Sequence, residues 1–328
     1  MARLILAVTV LGAIVLAGCS RDGADTGAAT SAPTSATPTV AAPTTASVPA
    51  PSAGLLAAAC DDTLAITESE PLTDDLTSIS GLAASRRRDG VVWAIEDSFE
   101  PADLVALRAD GQELGRVRVN PRTLANIDWE DLAVAVDPEG TAQVWIADIG
   151  DNLTIRPSVE LYVADEPAMD AGTVEARVID VTYVGPSGTP VRPNAEAMVV
   201  QDGTAWIVDK VEEGPATIYR MEPAADDASR ATMVPAGSLD LPGERVTGLD
   251  LSVDGTVLAL RTNAALRLYA VGEGQDIAAA LAGTACTTPA PDERQGESIA
   301  VLPGTSGLLT VSESEAGDPV RLHIIAPR

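Results

Sequence analysis

Carboxylates recur at matching places along this chain, at the start of one kind of short apolar run and at the end of another. If these runs are strands that open onto a common face, the side-chain oxygens converge. Carboxylate and amide oxygens are the ligands that a hard cation such as Ca²⁺ prefers, although the same groups also suit an organic cation or the N–H groups of nearby loops. The candidate ligands are Glu130, Glu196, Glu297, Asp148, Asp151, Asn152, Asp209 and Asp97.

Other reactive side chains are few. Of the 21 basic residues only Lys210 is a lysine, and His323 is the single histidine. A multi-histidine metal site is therefore excluded, a Ser-His-Asp triad would have to use His323, and a Schiff base would have to use Lys210. No nucleophile–base pair stands out, so the sequence identifies no catalytic residue.

The charge balance excludes a further class of function. The 328 residues include 48 acidic and 21 basic side chains, which gives a formal net charge of −27. Nucleic-acid binding needs clustered Lys and Arg to neutralise phosphates, so we expect no nucleic-acid partner. Hydrophobic residues make up 46% of the chain and aromatic residues only 3%, which predicts a core of Ala, Val, Leu and Ile.

Short apolar runs repeat along the C-terminal four-fifths of the chain. Equivalent runs begin at Ser80, Glu130, Glu196, Thr247 and Glu297, at intervals of 50, 66, 51 and 50 residues. Each is followed by a second and a third run, and in some units by a fourth. Pairs such as Asp-Gly often separate the first two runs and are typical of turns. Four short strands in about 50 residues resemble the blade of a β-propeller.

The pattern therefore predicts an all-β fold, a propeller of about five four-stranded blades. The 66-residue interval could hide an extra element, so six blades is the alternative, and a β-sandwich is the alternative architecture. The second run of each unit is apolar at consecutive residues, which favours a strand buried on both faces. Residues 64–68 are strand-like and the last unit shows only three runs, so we expect the N-terminal strand to complete the last blade and close the ring.

The N-terminus has the pattern of an export signal. Arg3 precedes an apolar run over residues 4–16, and Leu16-Ala17-Gly18-Cys19 resembles the lipobox of bacterial lipoproteins. This predicts a signal peptide over residues 1–18, a lipid on Cys19 and anchoring to the outer face of the cytoplasmic membrane. The alternative is an ordinary signal peptide with a coincidental cysteine.

A tether follows the predicted lipid. Residues 19–59 are dominated by Ala, Thr, Ser and Pro, without apolar periodicity, so we expect disorder there and a folded domain over residues 60–328. We expect a monomer whose membrane contact is the lipid anchor alone, with a cell-wall or other extracellular ligand as its partner. Cys60 and Cys286 are then an even pair in an exported protein and predict a disulfide, with two free thiols as the alternative. We expect that bond to fasten the N-terminal strand to the blade it completes.

One stretch carries a family resemblance. Residues 128–133, residues 145–152 and Arg156 are similar to a pattern in secreted propellers of actinobacteria, and more distantly the layout resembles phytase-like and gluconolactonase-like (regucalcin-type) propellers. The resemblance implies a divalent cation held at the axial mouth. The basic residues with which phytases grip phosphate are not evident, which argues against phosphomonoester hydrolysis. The residues implied as ligands are Glu130, Glu196, Glu297, Asn152, Asp148 and Asp209.

Two classes of function fit these observations. One is a surface-displayed binding or scaffolding propeller with a Ca²⁺ site at its acidic mouth and no turnover. The alternative is a metal-dependent extracellular hydrolase of esters or lactones, with the cation as Lewis acid and a mouth carboxylate as base. The first is favoured because the sequence offers no nucleophile–base pair.

Replacing Cys19 with alanine tests the predicted anchor. Without its acceptor thiol the chain should be released into the medium or stay as unprocessed precursor, because stable anchoring depends on the acyl chains. Fractionation into membrane and medium, with intact-mass analysis, measures this. A processed Cys19→Ala chain that still needs detergent for extraction would contradict the prediction.

Overall fold

The chain folds almost entirely into β-strands in the part described by the structure, a computed structural model that covers residues 53–97, 99–120, 126–314 and 318–328. The predicted signal peptide, Cys19 and most of the predicted tether lie outside these residues. The described helices are α1 (Ala53–Cys60) and α2 (Ile277–Leu281), with one 3-10 turn at Pro303–Thr305. Neither helix is long and apolar enough to cross a membrane.

The strands are short and follow one another closely, as the repeated runs predict. In chain order they are β1 Leu64–Glu68, β2 Ile79–Ala84, β3 Val91–Glu96, β4 Asp103–Arg108, β5 Glu113–Val119, β6 Trp129–Val136, β7 Ala142–Asp148, β8 Val159–Asp165, β9 Thr173–Val174, β10 Arg177–Val184, β11 Pro190–Val191, β12 Ala195–Gln201, β13 Thr204–Asp209, β14 Ala216–Ala224, β15 Asp227–Leu239, β16 Val246–Leu251, β17 Val257–Thr262, β18 Ala265–Ala270, β19 Cys286–Pro289, β20 Gln295–Val301, β21 Leu308–Glu313 and β22 His323–Pro327.

Antiparallel pairing arranges most strands in groups of four. Two-residue strands extend the edges: β9 pairs in parallel with β5, and β11 pairs with β10. A parallel pairing of β10 with β15 joins the second and third groups into one sheet. The extra residues of the 66-residue interval are used for these edge strands. From the first to the fifth, the groups are β2-β3-β4-β5, β6-β7-β8-β10, β12-β13-β14-β15, β16-β17-β18-β19 and β20-β21-β22-β1.

The first strands of the groups contact one another in a closed order. Strand β2 contacts β6, and the contacts continue through β12, β16 and β20 back to β2. Such a ring of sheets around an axis is a β-propeller, as the repeats predict. The N-terminal strand closes it, because β1 pairs antiparallel with β22 and places Leu64 opposite Pro327. The prediction that the N-terminal strand completes the last group is therefore confirmed.

The apolar runs form the core between neighbouring groups. Every residue of the second strands β3 and β17 is buried, and so are the apolar residues of the other second strands, β7, β13 and β21, which confirms that these consecutive apolar runs mark strands covered on both faces. Trp93, Trp145 and Trp206 occupy equivalent places in the second strands and are at most 3% exposed. Each lies in an apolar cluster shared with the next group, so these tryptophans pack the groups together.

Two buried aspartates bind across the ring. Asp131 in β6 accepts hydrogen bonds through Oδ2 from the N–H of Met198 in β12 at 2.8 Å and of Leu249 in β16 at 3.3 Å. Asp250 in β16 accepts one through Oδ2 from the N–H of Val301 in β20 at 2.7 Å. A buried carboxylate is tolerated when N–H donors satisfy it. These two residues therefore tie the second, third, fourth and fifth groups at their first strands.

The folded region begins before Cys60, which corrects the predicted domain boundary. Residues 53–59, predicted to be tether, form α1. Leu55 in this helix is fully buried and packs in a cluster with Leu266 and Ile325 of neighbouring groups. An Ala-rich segment folds here because its leucines have an apolar surface to cover.

Cys60 and Cys286 form the predicted disulfide, with their Cα atoms 4.7 Å apart and a separation of 226 positions in sequence. Its expected role is corrected. Cys286 begins β19, the outermost strand of the fourth group, whereas β1 completes the fifth. The bond therefore joins α1 to the neighbouring group and does not fasten β1 to its own. The repeats place Cys286 just before the last unit, but the pairing of β19 with β18 assigns it to the preceding one.

Replacing Cys60 and Cys286 with serine should lower the free energy of unfolding. In the chain-entropy model, a loop of this length stabilises by roughly 5 kcal/mol before native strain is subtracted. Urea unfolding without reductant measures the loss, and intact-mass analysis of the wild-type chain should show one disulfide and no alkylatable thiol at these positions. Equal unfolding midpoints for the two proteins would contradict the prediction.

Candidate functional site

One residue at the start of each first strand is bulged. In each pairing of a first strand with its second strand, the register slips past one residue, which is left without a partner. A β-bulge of this kind bends the strand and re-aims the side chain, and bulges are common beside functional sites. These are the residues that the sequence repeat aligns with one another. They are Ser80, Glu130, Glu196, Thr247 and Glu297.

Three of the bulged residues are glutamates, and their carboxylates converge. One oxygen each of Glu130, Glu196 and Glu297 lies within 4.8 Å of the other two. The three side chains are at most 5% exposed. The structure therefore brings together the three glutamates that the repeat register places at equivalent positions. We call them the glutamate cluster.

The other two bulged residues carry hydroxyls and hold the adjacent main chain. Ser80 donates from Oγ to the carbonyl of Trp129 at 2.8 Å, and Thr247 donates from Oγ1 to the carbonyl of Gly296 at 3.0 Å. Trp129 and Gly296 directly precede Glu130 and Glu297 in sequence. The hydroxyls thus fix the backbone that carries two of the three glutamates.

A second group of carboxylates adjoins the cluster through Glu130. Oxygens of Asp97, Asp128 and Glu130 lie within 4.8 Å of one another. Gly150 lies against this group, and a Cβ atom on it would overlap Glu130 Oε1 and Asp128 Oδ2. Any larger residue here would therefore have to displace the two carboxylates. This gives a structural reason for the glycine that follows β7.

Burial and mutual repulsion raise the pKa values of the glutamate cluster. Burial raises the pKa of Glu130 well above its usual value, and the neighbouring carboxylates of Glu196, Asp97 and Glu297 add to the effect. The pKa of Glu196 is raised to about 8, mainly by burial and by Glu297, against the opposing effect of Lys210. Burial also raises the pKa of Glu297. The site therefore disfavours ionised carboxylates unless a positive charge lies beside them.

Lys210 supplies one positive charge. Its Nζ contacts Glu196 Oε1. Burial acts to lower the pKa of Lys210, but Glu196, Glu297 and Glu130 outweigh it and raise that pKa. The single lysine of the chain is thus part of the site.

The donor set fits a hard divalent cation. Glu196 Oε2 is buried and has no hydrogen-bond partner among the described residues. An unsatisfied buried carboxylate oxygen is costly, and a cation would satisfy it. Three carboxylates with oxygens this close together are ligands of the kind that Ca²⁺ takes, and the glycine at position 150 leaves room beside two of the acids.

The other predicted ligands have protein partners. Asp148 Oδ1 pairs with Arg156 Nη1 at 2.7 Å, and Asp209 accepts a hydrogen bond from the N–H of Thr217 at 2.6 Å. Asp151 accepts bonds from the N–H groups of Ile155 and Arg156. These acids hold the loops that follow the second strands. The role of each as a ligand stays a prediction.

Asn152 lies where a ligand could reach it. Its Oδ1 accepts a hydrogen bond from Asn194 Nδ2 at 3.1 Å, and both side chains line a cavity of about 470 Å³. Lys210 and Glu297 line the same cavity, together with Arg245. The glutamate cluster therefore adjoins an open pocket with a mixed polar lining.

Two carboxylates outside the predicted ligand set lie at the site. Asp128 belongs to the group around Glu130, and Glu313 shares Gln295 with Glu297, because Gln295 Nε2 donates to Glu313 Oε2 at 2.6 Å and to Glu297 Oε1 at 3.1 Å. The sequence did contain a signal for each. Asp128 lies only two residues before Glu130, at the start of the same unit, and Glu313 ends its second strand as Asp148 ends another.

The single histidine belongs to a separate network. His323 Nδ1 lies 2.6 Å from Glu293 Oε1, which also accepts a bond from Thr310 at 2.9 Å. Glu293 contacts Arg261 through its other oxygen, and Arg261 is 1% exposed. Arg261 is therefore engaged by Glu293. The network links the fourth and fifth groups.

Comparisons with known proteins find similar solved structures. No protein-family model matches the chain, and a search of curated proteins gives no match. Solved structures similar to it include the PQQ-bound aldose sugar dehydrogenase from Streptomyces coelicolor (12% identity, TM-score 0.45, 80% of this chain and 98% of that one). Another is a luciferin-regenerating enzyme (13% identity, TM-score 0.36, 76% of this chain and 77% of that one). A third is a gluconolactonase from Xanthomonas campestris (12% identity, TM-score 0.39, 76% of this chain and 72% of that one). The fold and site together define a β-propeller with a buried acidic cluster.

The raised pKa values predict how stability changes with pH in the absence of metal. Glu196 has a pKa of about 8 in the folded chain against an ordinary value of 4.5, and the pKa of Glu313 is raised to about 8 as well. Between these values the folded state holds protons that the unfolded state has lost, so the free energy of unfolding falls as pH rises. One kcal/mol shifts the melting temperature of a domain of this size by roughly 2–4 °C.

We therefore expect the melting temperature in EDTA to fall by at least about 4 °C between pH 5.5 and pH 8. Differential scanning calorimetry measures it. Glu196→Gln should reduce the fall, since glutamine cannot ionise. A melting temperature that rises over this range would show that the cluster is not protonated in the folded chain.

Proposed function

We propose that this chain is a β-propeller that binds one divalent cation of the Ca²⁺ type at its glutamate cluster. The observation that carries the proposal is the convergence of three buried, bulged glutamates with one carboxylate oxygen, Glu196 Oε2, left without a partner among the described residues. Glu130, Glu196 and Glu297 would hold the ion. A +2 charge would relieve the repulsion that burial imposes on these acids.

The protein is proposed to act outside the cytoplasm. Support comes from the lipobox-like segment ending at Cys19 and from the Cys60–Cys286 disulfide, since such bonds persist in oxidising compartments. Extracellular Ca²⁺ would then be available to the site. Tethered display on the outer face of the membrane is consistent with a binding or scaffolding role.

A second candidate is a metal-dependent hydrolase of esters or lactones, and the adjoining pocket favours it. A bound cation would polarise a carbonyl oxygen and lower the pKa of water. Asn152 and Asn194 line the pocket and could orient a small polar substrate. Glu313, whose pKa is raised to about 8 mainly by burial, could give or take a proton near neutral pH.

A calcium titration of thermal stability tests the cation site. Ca²⁺ at 100 times its Kd should stabilise the folded chain by about 2.7 kcal/mol, and EDTA should reverse the effect. Glu196→Gln with Glu297→Gln should abolish the response because two ligands are lost. Glu139→Gln with Glu175→Gln changes the charge equally at exposed positions and is the matched control.

The outcomes separate the proposal from a structural role. If wild type does not respond to Ca²⁺, Mn²⁺ or Mg²⁺ and the cluster variant is more stable than wild type, the glutamates only repel one another. If wild type does not respond and the variant is weaker, they stabilise the fold through protein contacts. Either result would overturn the cation site.

Gly150→Ala gives an independent test. The added methyl group would overlap Glu130 Oε1 and Asp128 Oδ2 and displace both carboxylates. Calcium affinity measured by isothermal titration should fall by at least about tenfold, the effect of losing about 1.4 kcal/mol of binding free energy. Gly54→Ala is the control for the added methyl group, because a Cβ there meets open space and the backbone is helical. Equal losses in both variants would point to backbone effects alone.

Hydrolysis is tested by a screen of ester and lactone substrates with and without EDTA. The candidate predicts turnover that EDTA abolishes and that Glu313→Gln lowers while the calcium response of the melting temperature persists. Calcium binding without any turnover would leave the binding role as the function of the site.

A further inference from the structure

We infer that Lys210 is a built-in cation that occupies the glutamate cluster when no metal is bound and is displaced when a divalent ion enters. The inference rests on the proposed cation site. The observation behind it is the contact of Lys210 Nζ with Glu196 Oε1, one of the three converging glutamates.

Charge and space make the two cations exclusive. An ammonium and a divalent ion that share Glu196 would lie within a few ångströms of each other, and like charges at about 4 Å repel by several kcal/mol even at an effective dielectric of about 20. Glu196 would therefore have to exchange Lys210 for the metal. Its Oε2 atom, without a partner among the described residues, provides a first point of attachment while Oε1 still holds the ammonium.

The structure also provides a place for the displaced side chain. Lys210 is anchored by its backbone, because its N–H donates to the carbonyl of Asn194 at 2.9 Å. Its side chain is 19% exposed and lines the cavity of about 470 Å³ beside the cluster. A lysine stem is flexible and its ammonium is readily hydrated, so it can turn into this pocket while the backbone stays in place. Asn152 and Glu212, which line the same pocket, offer oxygen acceptors there.

The residue type matters for this exchange. An arginine forms planar, two-pronged contacts with carboxylates and is harder to replace, whereas an ammonium is a compact point charge. Lys210 is the single lysine among the 21 basic residues of the chain. We infer that it lowers the affinity of the cluster for metal and keeps the metal-free site stable.

Lysine-specific labelling tests the displacement directly in the wild-type full chain. Lysine labelled with ¹³C gives one set of ε-CH₂ signals, because there is one lysine. In EDTA these signals should be those of an ordered side chain, and saturating Ca²⁺ should shift and sharpen them toward a mobile lysine. Calcium binding that leaves the signals unchanged would overturn the inference.

Calcium affinity gives the second measurement. Lys210→Met should bind Ca²⁺ at least about tenfold more tightly than wild type in isothermal titration and should melt at a lower temperature in EDTA. Arg230→Met, which removes an exposed positive charge, is the matched control and should leave the affinity unchanged. In the Glu196→Gln background, Lys210→Met should gain much less, because the contact it removes is already lost.

The results distinguish the inference from the proposed function. If neither wild type nor Lys210→Met binds Ca²⁺ or Mn²⁺, the proposed cation site is wrong and the displacement fails with it. If both bind with equal affinity, the cation site stands and only the displacement is wrong. If Lys210→Met binds more weakly than wild type, Lys210 supports the bound ion and does not compete with it.

Discussion

Electrostatic repulsion among acids at the axis is the constraint on which the rest of this site depends. Ring closure brings the bulged residue of each group to the same end of the molecule, and three of these residues are glutamates. Two ionised carboxylates about 4 Å apart repel by about 4 kcal/mol at an effective dielectric near 20. The fold tolerates this because strong contacts elsewhere hold the first strands: the aspartates at positions 131 and 250 bind N–H groups across the ring, and Ser80 and Thr247 hold adjacent carbonyls.

The first strands use acidic side chains in two different ways. Asp131 is fully buried, yet both of its oxygens accept hydrogen bonds from backbone N–H groups, so it acts as a structural fastening. Glu130, one residue earlier, lies among other carboxylates, and Glu196 leaves one oxygen without a partner in the described part of the chain. The two side chains differ because neighbouring residues on a strand point to opposite sides. Burial alone therefore does not distinguish a structural acid from a candidate ligand. Its donors do.

Much of this architecture could be predicted from sequence because each group repeats one pattern. The aligned starts of the units predicted which glutamates meet, and the strand-like residues 64–68 predicted ring closure. The partners of Asp148, Asp151 and Asp209 could not be predicted, because they depend on loop contacts that no periodic pattern encodes. The assignment of Cys286 to the fourth group was missed for a related reason, and the helix before Cys60 was missed because it lies outside the repeats. A repeat shows where a unit begins but not which edge its outermost strand joins.

The disulfide determines how the molecule would carry mechanical load. A pull on the chain from its N-terminal side reaches α1 and Cys60 before it reaches β1, because β1 begins at Leu64. At Cys60 the covalent bond to Cys286 passes the force into β19 of the neighbouring group. The hydrogen bonds between β1 and β22 that close the ring are thereby shielded from unzipping. A domain with this bond would carry a pull on its N-terminal side without opening its own ring.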